Sequence, residues 1–186
     1  MYHLVHSLGV GQDEERERLL AAAKAVVLER GVGVSNREIA AAIGTSHRML
    51  DYYFGGRRQL VAAVLDSLSA DLVALFDASA PPTDSVPSLA VLAEVEGPAA
   101  LGPLWLDVLQ RAVRGEDEFV ATTRRIGAAW HDWLTASWGL DGVTADAVVA
   151  AYEGSGVVAV TRGEQEGRAA LRRLLAALET GGAGDG

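Results

Sequence analysis

The residues best suited to recognising another molecule lie between positions 35 and 54. Two short predicted helices flank a turn at Gly44, and the second begins with the run Ser46 to Met49. In a helix-turn-helix, the second helix presents its N-terminal side chains to the DNA major groove. Arg48 stands at that end of the second helix.

The spacing around the turn fits this motif. Ala40 precedes Gly44 by four residues and lets two helices cross closely, while Ile39 and Leu50 supply the apolar contacts that fix their angle. Any two short helices around a glycine turn share the spacing. Spacing alone therefore leaves DNA binding and simple helix packing equally open.

Catalytic, metal and redox chemistry have no residues to support them. The chain has no cysteine, and its four histidines, at positions 3, 6, 47 and 131, do not show ligand spacing. It contains no nucleophile elbow, phosphate-binding loop or zinc-protease motif. We expect a protein that is not an enzyme, with no metal site and no cofactor.

Charge is divided unevenly along the 186 residues. The chain carries 16 Lys and Arg against 25 Asp and Glu, a net charge of −9. Residues 13–58 hold eight cations and seven anions, whereas the remainder holds eight and eighteen. A basic coat over the whole protein is excluded, and any contact with DNA is confined to one face of the N-terminal part.

Apolar residues recur at helical spacing throughout, and no segment alternates with a period of two, so the predicted fold is all-α. Ser35 with Glu38 forms a capping-box pattern, and Ser46 is a second natural cap. A linker is predicted at 80–84. The predicted helices cover 13–30, 35–44, 46–53, 57–75, 88–96, 98–114, 117–138, 144–162 and 164–180.

The two ends are predicted to be flexible tails, residues 1–12 and 181–186. The N-terminus lacks the features of a signal peptide. The longest uncharged stretch after it, 97–106, is far shorter than the ~20 residues that span a bilayer. We expect a soluble, cytoplasmic protein with no membrane partner.

The stretch from Arg37 to Leu60 resembles the N-terminal domain of the TetR family of transcriptional regulators. The similarity rests on Ile-Ala-x3-Gly-Thr-Ser at 39–46, Leu-x-Tyr-Tyr-Phe at 50–54, and an arginine that opens a long helix. It covers residues 13 to about 68. The resemblance implies a three-helix DNA-binding domain at 13–60, joined by the long helix to a helical ligand-binding and dimerisation domain at 61–180.

The resemblance also implies roles for individual residues. The family's base-contacting positions correspond to His47, Arg48 and Met49, and its phosphate-contacting positions include Tyr52 and Arg57. Arg48 would then donate two hydrogen bonds to guanine O6 and N7 or bind a phosphate, and these two interpretations carry equal weight. The start of the preceding helix offers N–H groups to a phosphate. The DNA-binding residues implied in this way are Ser35, Asn36, Arg37, Thr45, Ser46, His47, Arg48, Met49, Tyr52 and Arg57.

Asp51 departs from the family pattern, which usually has tyrosine at this position. A carboxylate there repels phosphate, accepts a hydrogen bond from cytosine N4, or pairs with Arg48 three residues earlier. Tyr53 and Phe54 are predicted to pack rather than to contact DNA.

Two helices near the C-terminus carry small and apolar residues at helical spacing. In the family, the last two helices form a four-helix dimer interface, and the alternative is an internal core seam. Helix-turn-helix proteins read palindromes as dimers, which favours the interface. The predicted interface residues are Ala147, Ala151, Gly154, Val158, Leu171, Leu174, Leu175 and Leu178.

Aromatic residues concentrate between these two ends, where the family's effector pocket lies. Aromatic-lined cavities are the usual small-molecule sites, and the alternative is ordinary core. The predicted lining is Trp105, Phe119, Trp130, Trp133 and Tyr152. The predicted function is a homodimeric regulator of a palindromic DNA operator, most simply a repressor released by a small apolar effector. The alternatives are a constitutive DNA-binding protein and an all-α interaction module.

Overall fold

Helices account for nearly all of the chain that the computed structural model describes, which comprises residues 2–79, 88–98 and 100–182. Those residues contain no strand, so the all-α prediction is confirmed. Met1 and the other gaps, including the predicted linker at 80–84, lie outside the described residues. The helices are α1 (Tyr2–Arg30), α2 (Asn36–Ala42), α3 (His47–Phe54), α4 (Arg57–Ser79), α5 (Ala90–Glu94), α6 (Leu101–Val113), α7 (Asp117–Trp138), α8 (Gly142–Arg162) and α9 (Glu164–Gly182).

The first helix begins earlier than the sequence predicted. Residues 2–12 continue α1 instead of forming a flexible tail. The acidic residues at 13–15 suit the first turn of a helix, but glutamate is also a good residue for a helix interior, so these residues do not fix where the helix starts. At the other end α9 reaches Gly182, and the rest of the predicted tail, 183–186, lies outside the described residues.

The chain divides into two compact units, Met1–Ser69 and Ala70–Gly186. The division falls inside α4 rather than at the predicted 60/61 boundary, because the first turns of α4 supply buried residues to the first unit. In that unit α2 packs against both α1 and α3. Its fully buried side chains include Leu19, Val27, Val32, Ile39, Leu50, Leu60 and Val64.

The second unit has a core built by the end of α4 with α5, α7, α8 and α9. Its buried cluster comprises Phe76, Leu89, Leu92, Ala93, Leu134, Trp138, Ala145, Val148, Ala151, Leu171 and Leu175. The helices α8 and α9 pack closely along each other, and α6 packs on α7. Asp141 caps α8, which therefore begins at Gly142 rather than at the predicted residue 144, and it accepts hydrogen bonds from the backbone N–H groups of Val143 and Thr144.

The short helix α5 is tied to α9 along its length. Glu179 accepts a hydrogen bond from the Leu89 backbone N–H, Arg172 donates to Glu94 at 2.6 Å, and Arg168 pairs with Glu96. On the inner side, Tyr152 donates its hydroxyl hydrogen to the Leu92 carbonyl, and burial raises the pKa of this phenol. These polar contacts hold α5 in place over the core.

Candidate nucleic-acid interface

A reciprocal capping box fixes the start of α2. The Ser35 hydroxyl accepts from the Glu38 backbone N–H at 3.3 Å, and the Ser35 backbone N–H donates to the Glu38 carboxylate at 2.9 Å. The Ser35 hydroxyl also donates to that carboxylate, and this bond, followed by the backbone bond, lowers the Glu38 pKa below its usual range. The predicted capping box is thus confirmed, and the Ser35 side chain serves the helix itself.

The turn between α2 and α3 needs a glycine for its backbone conformation. Gly44 has φ +71°, and nothing lies within 4 Å of the position that a Cβ would occupy. The Thr45 backbone N–H donates to the Ala40 carbonyl at 2.9 Å, which closes the turn. The angle between the two helices is therefore set locally, by a left-handed residue and one backbone bond.

The start of α3 presents the side chains that the sequence predicted to read bases. Ser46 caps the helix, because its hydroxyl accepts from the Met49 backbone N–H at 3.2 Å. Arg48 and Met49 are exposed, and His47 is half-buried. Leu50 is fully buried and anchors the helix from beneath. The structure therefore places an exposed cation and a flexible thioether at a fixed helix start.

The end of α3 divides into an exposed and a buried side. Tyr52 is 67% exposed, its ring meets the Tyr53 ring edge-on at 5.1 Å, and its hydroxyl accepts from Gln12 of α1 at 3.4 Å. Phe54 is buried, and the Arg16 guanidinium lies 5.1 Å from its ring centroid. Tyr52 keeps the exposure that a phosphate contact requires, while Phe54 packs as predicted.

Arg57 makes a contact that the sequence did not predict. Its guanidinium donates to the backbone carbonyls of Val32 and Val34, in the loop between α1 and α2. These bonds join the loop to the start of α4, and the side chain is half-buried. The predicted contact of Arg57 with a phosphate stays a prediction. The sequence offered no signal for this contact, because the partners are backbone atoms more than twenty residues away.

Asp51 also finds a partner that the sequence did not reveal. Its carboxylate accepts from the Asn36 side-chain amide at 2.9 Å, which joins α3 to the first residue of α2. The predicted alternative of a pair with Arg48 is not the contact observed. Asn36, predicted to bind phosphate, thus directs its amide at a protein carboxylate.

The charge of the α2–α3 surface remains favourable to DNA. Between residues 36 and 58 the sequence holds four arginines and two carboxylates. Both carboxylates, Glu38 and Asp51, accept hydrogen bonds within the unit, whereas Arg37 and Arg48 are exposed. The surface therefore offers two exposed arginines, while its two exposed carboxylates each accept hydrogen bonds from neighbouring residues.

The predicted pocket residues fall into two groups. Trp130, Trp133 and Tyr152 come together around Phe76, with ring centroids 5.4 to 5.6 Å from it. Phe119 is buried elsewhere on α7, with the Arg111 guanidinium 5.4 Å from its ring centroid, and Trp105 is half-buried on α6. Three of the five predicted residues thus form one aromatic cluster, which also packs against the core.

The predicted interface residues also separate. Ala151, Leu171 and Leu175 are buried in the core of their own unit, as the alternative of an internal seam requires. Gly154 and Leu174 are exposed. Ala147, Val158 and Leu178 are half-buried. The sequence missed Val157 and Val160 of α8, which are 53% and 66% exposed although both are large apolar residues.

The N-terminal unit matches a known family. Residues 19–64 fit the model of the bacterial regulatory proteins of the tetR family. Over 72 residues the chain is 39% identical to the HTH-type transcriptional repressor Rv3405c of Mycobacterium tuberculosis H37Rv. This match covers 38% of each chain, so the chain spans well under half the length of the curated relative. The relative is described as a regulator and not as an enzyme, in agreement with the class expected here.

Solved structures extend the similarity of fold to most of the chain. A Rhodococcus sp. protein assigned to the TetR family of transcriptional regulators superposes with a TM-score of 0.72 at 22% identity, covering 90% of this chain and 98% of its own. The multidrug binding protein EbrR, complexed with proflavin, superposes with a TM-score of 0.64 at 25% identity, covering 88% and 98%. Both units therefore have the architecture found in these proteins.

Proposed function

We propose that this chain is a member of the TetR family of bacterial regulatory proteins and a sequence-specific DNA-binding transcriptional regulator in the cytoplasm. The observation that carries the proposal is the start of α3, where a Ser46 cap and a buried Leu50 hold Arg48 and Met49 outward. An exposed helix start of this kind fits the major groove, and Arg48 has the donor geometry for guanine. The curated relative is named a repressor, and we propose repression here as well.

Contacts with the DNA backbone accompany base recognition. We assign these contacts to the exposed side chains of Arg37 in α2 and Tyr52 in α3. Thr45 and Ser46 in the turn, and the backbone N–H groups that follow Ser35, complete the set. Phosphate contacts release counterions, so binding should weaken steeply as salt rises.

A homodimer explains the apolar surface of α8 and α9. By length and composition α8 is apolar enough to cross a membrane, yet only 17% of that apolar window is buried in its own chain. Its exposed Gly154, Val157 and Val160, with Leu174 of α9, make a surface that a second copy can cover. We choose a protein partner over a bilayer because the neighbouring α9 carries many charged residues.

Release by a small, largely apolar molecule is the proposed control. The aromatic cluster of Phe76, Trp130, Trp133 and Tyr152 offers ring faces for such a ligand, and Asp77 accepts from the Trp133 indole at 3.0 Å. The related EbrR was solved with proflavin, a flat aromatic compound. A ligand alters operator affinity only if it binds the DNA-free arrangement more tightly than the DNA-bound one. Compounds that quench tryptophan emission should release labelled operator at the same concentrations. A constitutive regulator would show no such compound.

Selection of duplexes from a randomised pool tests the DNA-binding function. The full chain should select a palindrome whose half-sites lie about one helical turn apart, ~34–36 Å, or a multiple of it. Arg48→Ala should cost about 1–3 kcal/mol at one base pair and leave the others unchanged. Arg37→Ala is the matched control and should weaken all sequences alike. A chain that enriches no sequence would instead be an all-α interaction module.

A further inference from the structure

The hydrogen bond between Asn36 and Asp51 is the one side-chain bond described between α2 and α3. The Asn36 amide nitrogen lies 2.9 Å from the Asp51 carboxylate, with Asn36 at the first position of α2 and Asp51 at the fifth of α3. The amide oxygen of Asn36 is buried, and among the described residues it has no hydrogen-bond partner. The oxygen of the amide is thus covered by the protein, and its nitrogen is held by an exposed carboxylate.

An aspartate on this surface carries a cost for DNA binding. Phosphates dominate the affinity of proteins for DNA, and an exposed carboxylate near them repels every sequence equally. The other predicted contact residues of α3 are neutral or cationic. A role within the protein accounts for the carboxylate better than a role toward the backbone of DNA.

We propose that Asn36 and Asp51 are a pair of positioning residues that hold α3 at one angle against α2, and that neither side chain contacts DNA. The inference rests on the proposed DNA-binding function. A bidentate arginine can recognise a base only if its helix has the right orientation to the DNA. A recognition helix whose angle to α2 varies therefore loses sequence selectivity before it loses its general affinity for DNA. The pair therefore contributes specificity, while its charge lowers the affinity for all DNA.

Hydrogen exchange of the full chain without DNA tests the coupling. Asn36→Ala and Asp51→Ala should each speed amide exchange in α2 and α3 by about 2- to 10-fold, and the double variant should add nothing further. The exchange rates of Asp51→Asn should stay near those of the unmodified chain, because the oxygen of the new amide still accepts the hydrogen bond from Asn36. Glu17→Gln, which neutralises an exposed carboxylate on α1, is the matched charge control.

Binding to the selected duplex and to a random duplex tests the consequence. Asn36→Ala and Asp51→Ala should lower the ratio of the two affinities by about 2- to 10-fold. Asp51→Asn should raise both affinities and keep the ratio. The proposal is overturned if the two alanine variants leave exchange and ratio unchanged. It is also overturned if Asp51→Asn lowers the ratio without affecting exchange, because the carboxylate would then contact a base. Failure of the proposed function looks different, since the unmodified chain would then select no sequence at all.

Discussion

The helix pairs α2–α3 and α8–α9 are each joined by a short turn, but different interactions hold the helices together. In the first pair, caps at Ser35 and Ser46 and the bond between Asn36 and Asp51 fix two short helices that bury few residues. In the second pair, long helices pack so closely that Gly167 is buried against α8. The first pair, which carries the proposed DNA-binding surface, is thus held by polar bonds, whereas the second pair, which builds a core, is held by complementary shape.

Neighbouring leucines of α9 should give opposite results. Leu175 is fully buried, so Leu175→Asp places a charge in the core and should cost at least about 4 kcal/mol, which unfolds the second unit. Leu174 is 48% exposed, so Leu174→Asp should keep the helical content and produce monomers. Thermal melting by circular dichroism and sedimentation measure the two effects. A Leu174→Asp chain that remains dimeric would place the interface away from α9.

Each helix pair contains a glycine that it requires, Gly167 for close packing and Gly44 for its backbone conformation, and substitutions distinguish these two requirements. A Cβ on Gly167 would lie 2.7 Å from the Ala159 Cβ and 2.8 Å from the Ser155 carbonyl oxygen, so Gly167→Ala should cost about 1–3 kcal/mol by forcing α8 and α9 apart. Gly44 has open space but a left-handed backbone, which asparagine tolerates.

Asparagine at position 44 and at position 167 should have different effects on stability. Gly44→Asn should have a melting temperature close to that of the unmodified chain. Gly167→Asn should lower the melting temperature at least as much as Gly167→Ala. Gly127→Ala, in α7 with nothing within 4 Å, controls for helix propensity and should be neutral or stabilising. Equal melting temperatures for the two asparagine variants would contradict the distinction.

Arg57 tests whether an arginine of the first unit acts on DNA or on the fold. Arg57→Ala removes the bonds to the carbonyls of Val32 and Val34 and should destabilise the first unit by about 1–2 kcal/mol. Because the guanidinium already donates to these two carbonyls, the slope of log affinity for DNA against log salt should stay the same. A slope flatter by about one would mean that Arg57 contacts a phosphate after all.

Acid should slightly lower the stability of both helix pairs. Bonds from Ser35 lower the Glu38 pKa, and the Thr144 hydroxyl, followed by its backbone N–H, lowers that of Asp141. A carboxyl with a depressed pKa stabilises the fold above its unfolded-state pKa, and this contribution disappears as the pH falls through the folded value. Exchange at the first turns of α2 and α8 should therefore rise below about pH 4. Glu38→Gln should remove the pH dependence at α2 alone.

Local signals in the sequence predicted most of the fold. The capping box of Ser35 and Glu38, the cap at Ser46 and the glycine at 44 act within four residues, so their spacing is sufficient to identify them. The apolar stripe of α9 was equally clear, but it does not say whether a leucine faces its own core or another chain. Leu174 and Leu175 are adjacent in sequence and differ only in what packs against them.

The contacts that were missed join residues distant in the chain. Asp51 meets Asn36 across fifteen residues, and Arg57 reaches carbonyls at 32 and 34. Such bonds depend on the angle between packed helices, which a pattern of residue types does not fix. The extended start of α1 was missed for another reason, since acidic residues suit both the first turn and the interior of a helix.

The ties between α5 and α9 have a consequence for how the protein is made. They join residues 72 to 90 positions apart, and the second member of each pair lies in the last helix. During synthesis the first unit has all of its helices once residue 69 has emerged, while Leu89 and Leu92 of the second unit wait for Leu171 and Leu175 to cover them. Contacts of such long range form late. A ribosome-bound chain that ends before α9 should therefore carry a folded first unit and an open, protease-sensitive second unit.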